Sequence, residues 1–218
     1  MSRRDGVYTQ AERRSDAIVH WTGLVLGLAA APVVVGLALR APDGTTLVAA
    51  AAIYAASLVA MLGASAAYHM SRAPAWRDRL RRLDQSAIYV KIAGAYTPFA
   101  VMTGPEAMPF LGGLWAAALV GVGLKVLTAR QLFGVTLALY LGMGWAALAV
   151  GGPIFERMTP EAFRLVFVGG SLYTAGVVFL VWDRLPHHYT IWHVFVLAAS
   201  LFVYAAVLME VAGFTASL

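Results

Sequence analysis

Long apolar runs separated by short polar stretches set the pattern of this chain. After a charged opening over residues 1–16, apolar residues run over about 18–39, 46–68, 87–103, 108–127, 132–151, 163–182 and 190–211. Each run is near the ~20 residues that cross a hydrocarbon core at about 1.5 Å per residue. The third is the shortest and is interrupted by Pro98. The pattern predicts seven spanning helices in one domain covering residues 1–218. They are joined by the connections APDG, GPEAMP, GGPIFERMTPE and DRLPHH. Gly and Ala recur inside the runs, as in GLWAAALVGVG and GGSLYTAG, which suits close helix packing in a membrane.

Composition agrees with the pattern. Of 218 residues, 61% are hydrophobic and only 12% charged. A soluble domain would hold about 25% charged residues, so a soluble fold is excluded and an all-α integral membrane protein is expected. No cysteine is present, which removes disulfides and thiolate metal sites. Any metal must be held by histidine, carboxylate or another oxygen.

Charge then sets an orientation. Arg3, Arg4, Arg13, Arg14, Arg72, Arg77, Arg79, Arg81, Arg82, Lys125, Arg130 and Arg184 fall on one side of the seven-span topology. Arg40, Arg157 and Arg164 fall on the other. Twelve against three predicts a cytoplasmic N-terminus and an outside C-terminus. A positive opening ahead of an apolar run also suits a cleavable signal. The first run is long enough to span and leads into APDG, so an uncleaved helix in the inner (plasma) membrane is expected. The net charge of +5 is absorbed by topology and contact with membrane lipids, with no nucleic-acid partner.

On that topology the ionisable residues inside or beside the spans converge. His20 lies near the start of the first run, His69 ends the second, Asp84 precedes the third and His193 lies near the start of the seventh. All four share one membrane depth. Ser65 and His69 stand at i, i+4, and Glu12, Asp16 and His20 stand at i, i+4, i+8, so each set shares a helix face. The acidic set also suits a solvated helix start, with acids at its positive end. Three imidazoles around a cation suit zinc, which acidifies a bound water. Asp84 is placed to accept that proton, and Ser65 to orient the water or bond a carbonyl. Lys91 lies seven residues after Asp84 on nearly the same face. It is expected to neutralise Asp84, Glu12 or Asp16, to meet an anionic lipid head group, or to snorkel to the interface.

The segments SAAYH, RLDQSAIYVKIAGAYTPF, GGSLYTAGVVF and IWHVFVLAAS resemble the hemolysin III family, related to the progestin and adipoQ receptors and more remotely to the alkaline ceramidases. The resemblance implies seven helices with the N-terminus inside. It also implies a zinc ion near the cytoplasmic side, bound by the histidine of a Ser-x-x-x-His motif and two histidines of a His-x-x-x-His motif on the last helix. Ser65 and His69 form the first motif, Asp84 corresponds to the third-helix carboxylate, and Glu12 and His20 correspond to the early acid and histidine. The last motif departs, because Tyr189 stands four residues before His193. His188, at i−5, points about 140° away on a regular helix, unless Pro186 leaves residues 187–189 as a loop or first turn. The third ligand is expected to be His188, then His20, then Tyr189, with water or a weak site as further alternatives.

These readings lead to a zinc-dependent hydrolase of a lipid amide or ester. The alternative is a non-catalytic sensor or regulator of membrane lipid composition. A cytolysin, suggested by the family name, ranks third.

Overall fold

The computed structural model describes residues 9–41, 44–127 and 132–217. Arg3, Arg4 and Arg130, which entered the charge count, and Pro42 and Asp43 of the first connection lie outside them. Helices α1 (Gln10–Ala38), α2 (Thr45–Met70), α3 (Arg77–Thr103), α4 (Met108–Leu127), α5 (Phe133–Val150), α6 (Gly152–Arg157), α7 (Pro160–Val181) and α8 (His188–Ala216) account for nearly all of the described chain. Short 3-10 turns at Pro74–Trp76 and Pro105–Ala107 lead into α3 and α4.

Six helices are long and apolar enough to cross a membrane: α1, α2, α4 with its leading turn, α5, α7 and α8. The seventh long helix, α3, packs on α2 and α4 and touches α5, α6 and α8. Its polar residues Ser86, Lys91, Thr97 and Thr103 are buried in protein rather than facing lipid. That central position lets it carry Lys91 and Pro98 at membrane depth. Large apolar residues point outward along the other helices, among them Ile18, Trp21, Val25, Leu119, Val120 and Val178, while Ala51, Ala100, Ala199 and Ala206 are buried. Bulk outside and small residues inside is the pattern of a bundle solvated by lipid. The chain is an all-α, multi-pass integral membrane protein.

Several helices outrun the apolar pattern. Helix α1 starts at Gln10 because the Thr9 hydroxyl accepts from the Glu12 backbone N–H at 3.2 Å, while Glu12 Oε2 accepts from the Thr9 backbone N–H at 2.8 Å. Helix α3 starts at Arg77, ten residues ahead of its apolar run, so Arg77, Arg79, Arg81 and Arg82 lie on the helix. Arg, Leu and Gln are good helix formers, and Asp78 suits the positive first turn. The connection GGPIFERMTPE contains the short helix α6, with Pro153 in its first turn.

Close approach fixes one contact firmly. A Cβ on Gly121 of α4 would lie 2.6 Å from three ring atoms of Tyr89, a side chain with no exposed surface. Gly121→Ala therefore forces the α3–α4 contact apart and is expected to destabilise the bundle by about 1–3 kcal/mol. The check is the thermal unfolding midpoint of the detergent-purified variant; an unchanged midpoint would refute the packing.

Candidate metal centre

The beginning of α1, the end of α2 and the beginning of α8 meet at one end of the bundle. Three contacts hold the two helix starts together. Glu12 Oε1 accepts from the His187 backbone N–H at 3.1 Å, Ser15 Oγ lies 2.9 Å from His187 Nδ1, and Ser15 Oγ lies 3.0 Å from Thr190 Oγ1. His187 adopts a left-handed conformation, φ 59°, as the chain turns into α8 after Pro186. One turn further along both helices, Asp16 faces His193.

Asp16 is the hub of the site. Its Oδ1 accepts from His193 Nδ1 at 2.7 Å, and its Oδ2 lies 3.3 Å from His69 Nδ1 and 3.5 Å from His20 Nε2. The imidazoles also crowd one another, with ring centroids 4.4 Å apart for His20–His193 and His69–His193 and 5.0 Å for His20–His69. One ligand atom from each of Asp16, His20, His69 and His193 lies within 4.8 Å of the others. His20 and His193 are buried, and His20 Nε2 has no hydrogen-bond partner.

This donor set fits a metal ion. Tetrahedral zinc holds nitrogen and oxygen ligands at about 2.0–2.2 Å, which puts the donor atoms roughly 3.3 Å from one another. The observed donor atoms, within 4.8 Å of one another, reach that geometry by drawing together by at most about 1.5 Å. His20 Nε2, buried without a hydrogen-bond partner and 3.5 Å from Asp16 Oδ2, is the atom a cation would satisfy. Asp16, His20, His69 and His193 can therefore hold a metal.

The other expected site residues fall around this group. Ser65 is buried one turn before His69 on α2. Asp84, half-buried on α3, lies beside the Ser65 hydroxyl and within electrostatic reach of His69, His20 and Asp16. The Tyr189 ring borders the group, 5.8 Å from His69 and 6.3 Å from His193 between centroids. His188 is not brought to it. It is the first residue of α8, and its Nδ1 lies 3.3 Å from the Phe179 carbonyl. The turn after Pro186 does not swing it round, since the helix has already begun. His20 occupies the place for which His188 was first in order. Glu12 also stays outside, held by Thr9 and His187, and Asp16, one turn deeper, supplies the acid.

Lys91 departs from expectation. It is 5% exposed, so it neither snorkels nor reaches a head group, and its ammonium donates to the Tyr173 hydroxyl and lies 4.2 Å from that ring's centroid. The Tyr173 hydroxyl is in turn 2.7 Å from Ser200 Oγ. Seven residues carry Lys91 about 10.5 Å along α3 from Asp84, where α7 and α8 present hydroxyls in place of carboxylates. Sequence reasoning missed Tyr173, although it lies in GGSLYTAG, and missed the clip through Ser15. The Thr9-x-x-Glu12 spacing before an apolar run was the available sign that α1 begins early enough to make that clip.

A cavity of about 310 Å³ lies at the opposite end of the bundle, among Phe99, Thr103, Ile154, Glu210 and Phe214, and takes no part in this site.

Comparison with known proteins agrees with the architecture. Residues 9–204 match the family model described as haemolysin-III related. Hemolysin-3 of Bacillus cereus is 33% identical over 204 residues, covering 92% of each chain. The hemolysin-3 homolog of Bacillus subtilis (strain 168) is 31% identical over 204 residues, covering 93% of this chain and 95% of its own. The human monocyte to macrophage differentiation factor is 29% identical over 189 residues, covering 81% of this chain and 77% of its own. A multi-pass helical bundle matched along nearly its whole length places this chain in the haemolysin III family.

Proposed function

We propose that this protein is a zinc-dependent hydrolase of a lipid amide or ester, with its site at the cytoplasmic face of the plasma membrane. The observation that carries the reading is the second carboxylate. Three imidazoles and Asp16 already provide four donors. A purely structural ion has no use for Asp84, a second carboxylate of the same charge as Asp16 and repelled by it. A catalytic site has one.

Zinc supplies Lewis acidity, polarising a carbonyl and acidifying water. The protein's own groups do the remainder. Asp84 accepts the proton of the attacking water and returns it to the leaving amine or alcohol, as a positioned general base and acid. Ser65 orients Asp84 or donates to the substrate carbonyl. Asp16 would align the three imidazoles as their outer partner, and α1, α2 and α8 exclude bulk water from the group. The lipid reaches the site from the bilayer with its acyl chain along the bundle and its polar linkage at the membrane surface.

A second reading has its own observation. Asp16 completes a four-donor set, and a closed tetrahedral shell is the mark of a structural ion. On that reading the metal staples α1, α2 and α8, and the protein is a non-catalytic regulator of membrane lipid state. Incubating the zinc-loaded protein with a panel of N-acyl amide and acyl ester lipids separates the two. Release of free fatty acid, stopped by a chelator and restored by zinc, supports the hydrolase. Stoichiometric zinc with no release from any lipid gives the regulator.

A further inference from the structure

At the arginine-rich end of the bundle, the start of α3 meets the end of α4 in a group of cations of which, among the described residues, only Arg81 has a carboxylate partner, Asp78. Arg82, Ser86 and Tyr89 stand at i, i+4 and i+7 and share one face of α3. That face meets α4, where Gly121 takes the Tyr89 ring and the Val126 carbonyl accepts from Arg82 Nη1 at 2.6 Å. Lys125 follows Gly121 by one turn on the same face. It is 9% exposed and has no hydrogen-bond or ion-pair partner among the described residues. The charge within its electrostatic reach is another cation, the Arg81 guanidinium.

The remaining polar atoms here are also short of partners. Arg81 Nη2 donates to Asp78 at 2.9 Å, but Arg81 Nε is buried with none. Ser86, 7% exposed, has a buried hydroxyl without a partner. Like charges drawn together and partly desolvated repel unless an anion lies between them. Unpaired buried donors ask for an acceptor. The rim is apolar, with Leu83, Val126 and Leu127 strongly exposed at the same level. A basic group between helices with an apolar rim is how a bundle holds a lipid head group.

We propose that this group of cations binds the phosphate of an anionic phospholipid, held by Lys125, Arg81 and Arg82, with its acyl chains against Leu83, Val126 and Leu127. The site is separate from the histidine group and does not depend on the proposed hydrolysis. A free phosphate shares the chemistry of the charged end but has no use for the apolar rim.

The test is native mass spectrometry of the delipidated full-length protein, titrated with phosphatidylglycerol or phosphatidylcholine, with and without millimolar inorganic phosphate. One phosphatidylglycerol is expected to be retained, with phosphatidylcholine retained at least about fivefold less. Lys125→Met is expected to weaken retention of phosphatidylglycerol at least about fivefold, the worth of one basic contact with an anionic lipid. Arg72→Ala, on the exposed turn before α3, is expected to leave it unchanged. Equal retention of both lipids, an unchanged Lys125→Met, or an equal effect of Arg72→Ala overturns the proposal. Displacement by inorganic phosphate overturns it too, since the group would then be a free-anion site. If Lys125→Met fails to fold, Lys125→Arg and Arg81→Gln decide: binding is kept in the first and reduced in the second, and the reverse order overturns the site.

Discussion

His20→Ala is expected to weaken zinc binding at least about 100-fold, and His188→Ala to leave it within about twofold. The contrast follows from where the two imidazoles lie. His20 Nε2 is buried, lacks a hydrogen-bond partner and faces the Asp16 carboxylate at 3.5 Å. Its loss removes a donor outright, which exceeds the ~10–100-fold typical of an outer-shell partner. His188 turns to the Phe179 carbonyl at the head of α8 and offers nothing to the group. Its replacement should behave like an ordinary substitution away from the site, within about 0.5 kcal/mol. Competition with a chelating chromophore reads both affinities. A large loss in His188→Ala with none in His20→Ala would transfer the third ligand to α8 and contradict the geometry.

Asp84→Asn is expected to lower lipid hydrolysis about 10²–10⁴-fold, the usual worth of a positioned general base, while leaving the bound zinc in place. Asp84 lies outside the four-donor group and reaches His69 and Ser65 from α3. The amide is close in shape and keeps the Ser65 contact, but it cannot accept a proton at pH 7. Asp16→Asn should do the opposite, emptying the site, because its two oxygens contact all three imidazoles. Single-turnover release of fatty acid beside zinc content measures both effects. Asp84→Asn with full activity would remove Asp84 from the chemistry. Zinc loss in Asp84→Asn would make Asp84 a ligand instead.

Much of this was legible from the residues, for identifiable reasons. Burial in lipid forces helices of near-fixed length, so the apolar runs marked every long helix. Helix ends were less clear, since Thr9 and the Arg77–Ser86 stretch extend α1 and α3 by hydrogen bonding and propensity that hydropathy does not register. The site divides in the same way. His69 and His193 stood out because polar residues at helix ends in an apolar chain are few. Asp16 and His20 could be placed on one face by their i, i+4 spacing, but which of His20, His188 and Tyr189 joined His69 depended on how α1 leans on α8. That lean is set by Glu12, Ser15, His187 and Thr190, whose contacts span more than 170 positions and leave no local trace. Lys91 shows the limit most clearly. Its partner, Tyr173, came from a helix that spacing could not bring near, in place of the expected Asp84, Glu12 or Asp16.

The most direct test of the account is the zinc content of the detergent-purified full-length protein by elemental mass spectrometry, wild type beside His69→Ala. The four-donor group predicts about one zinc per chain in the wild type, lost when the His69 imidazole is removed. No zinc in the wild type after zinc is supplied, or equal zinc in both proteins, would contradict a metal centre built on Asp16, His20, His69 and His193.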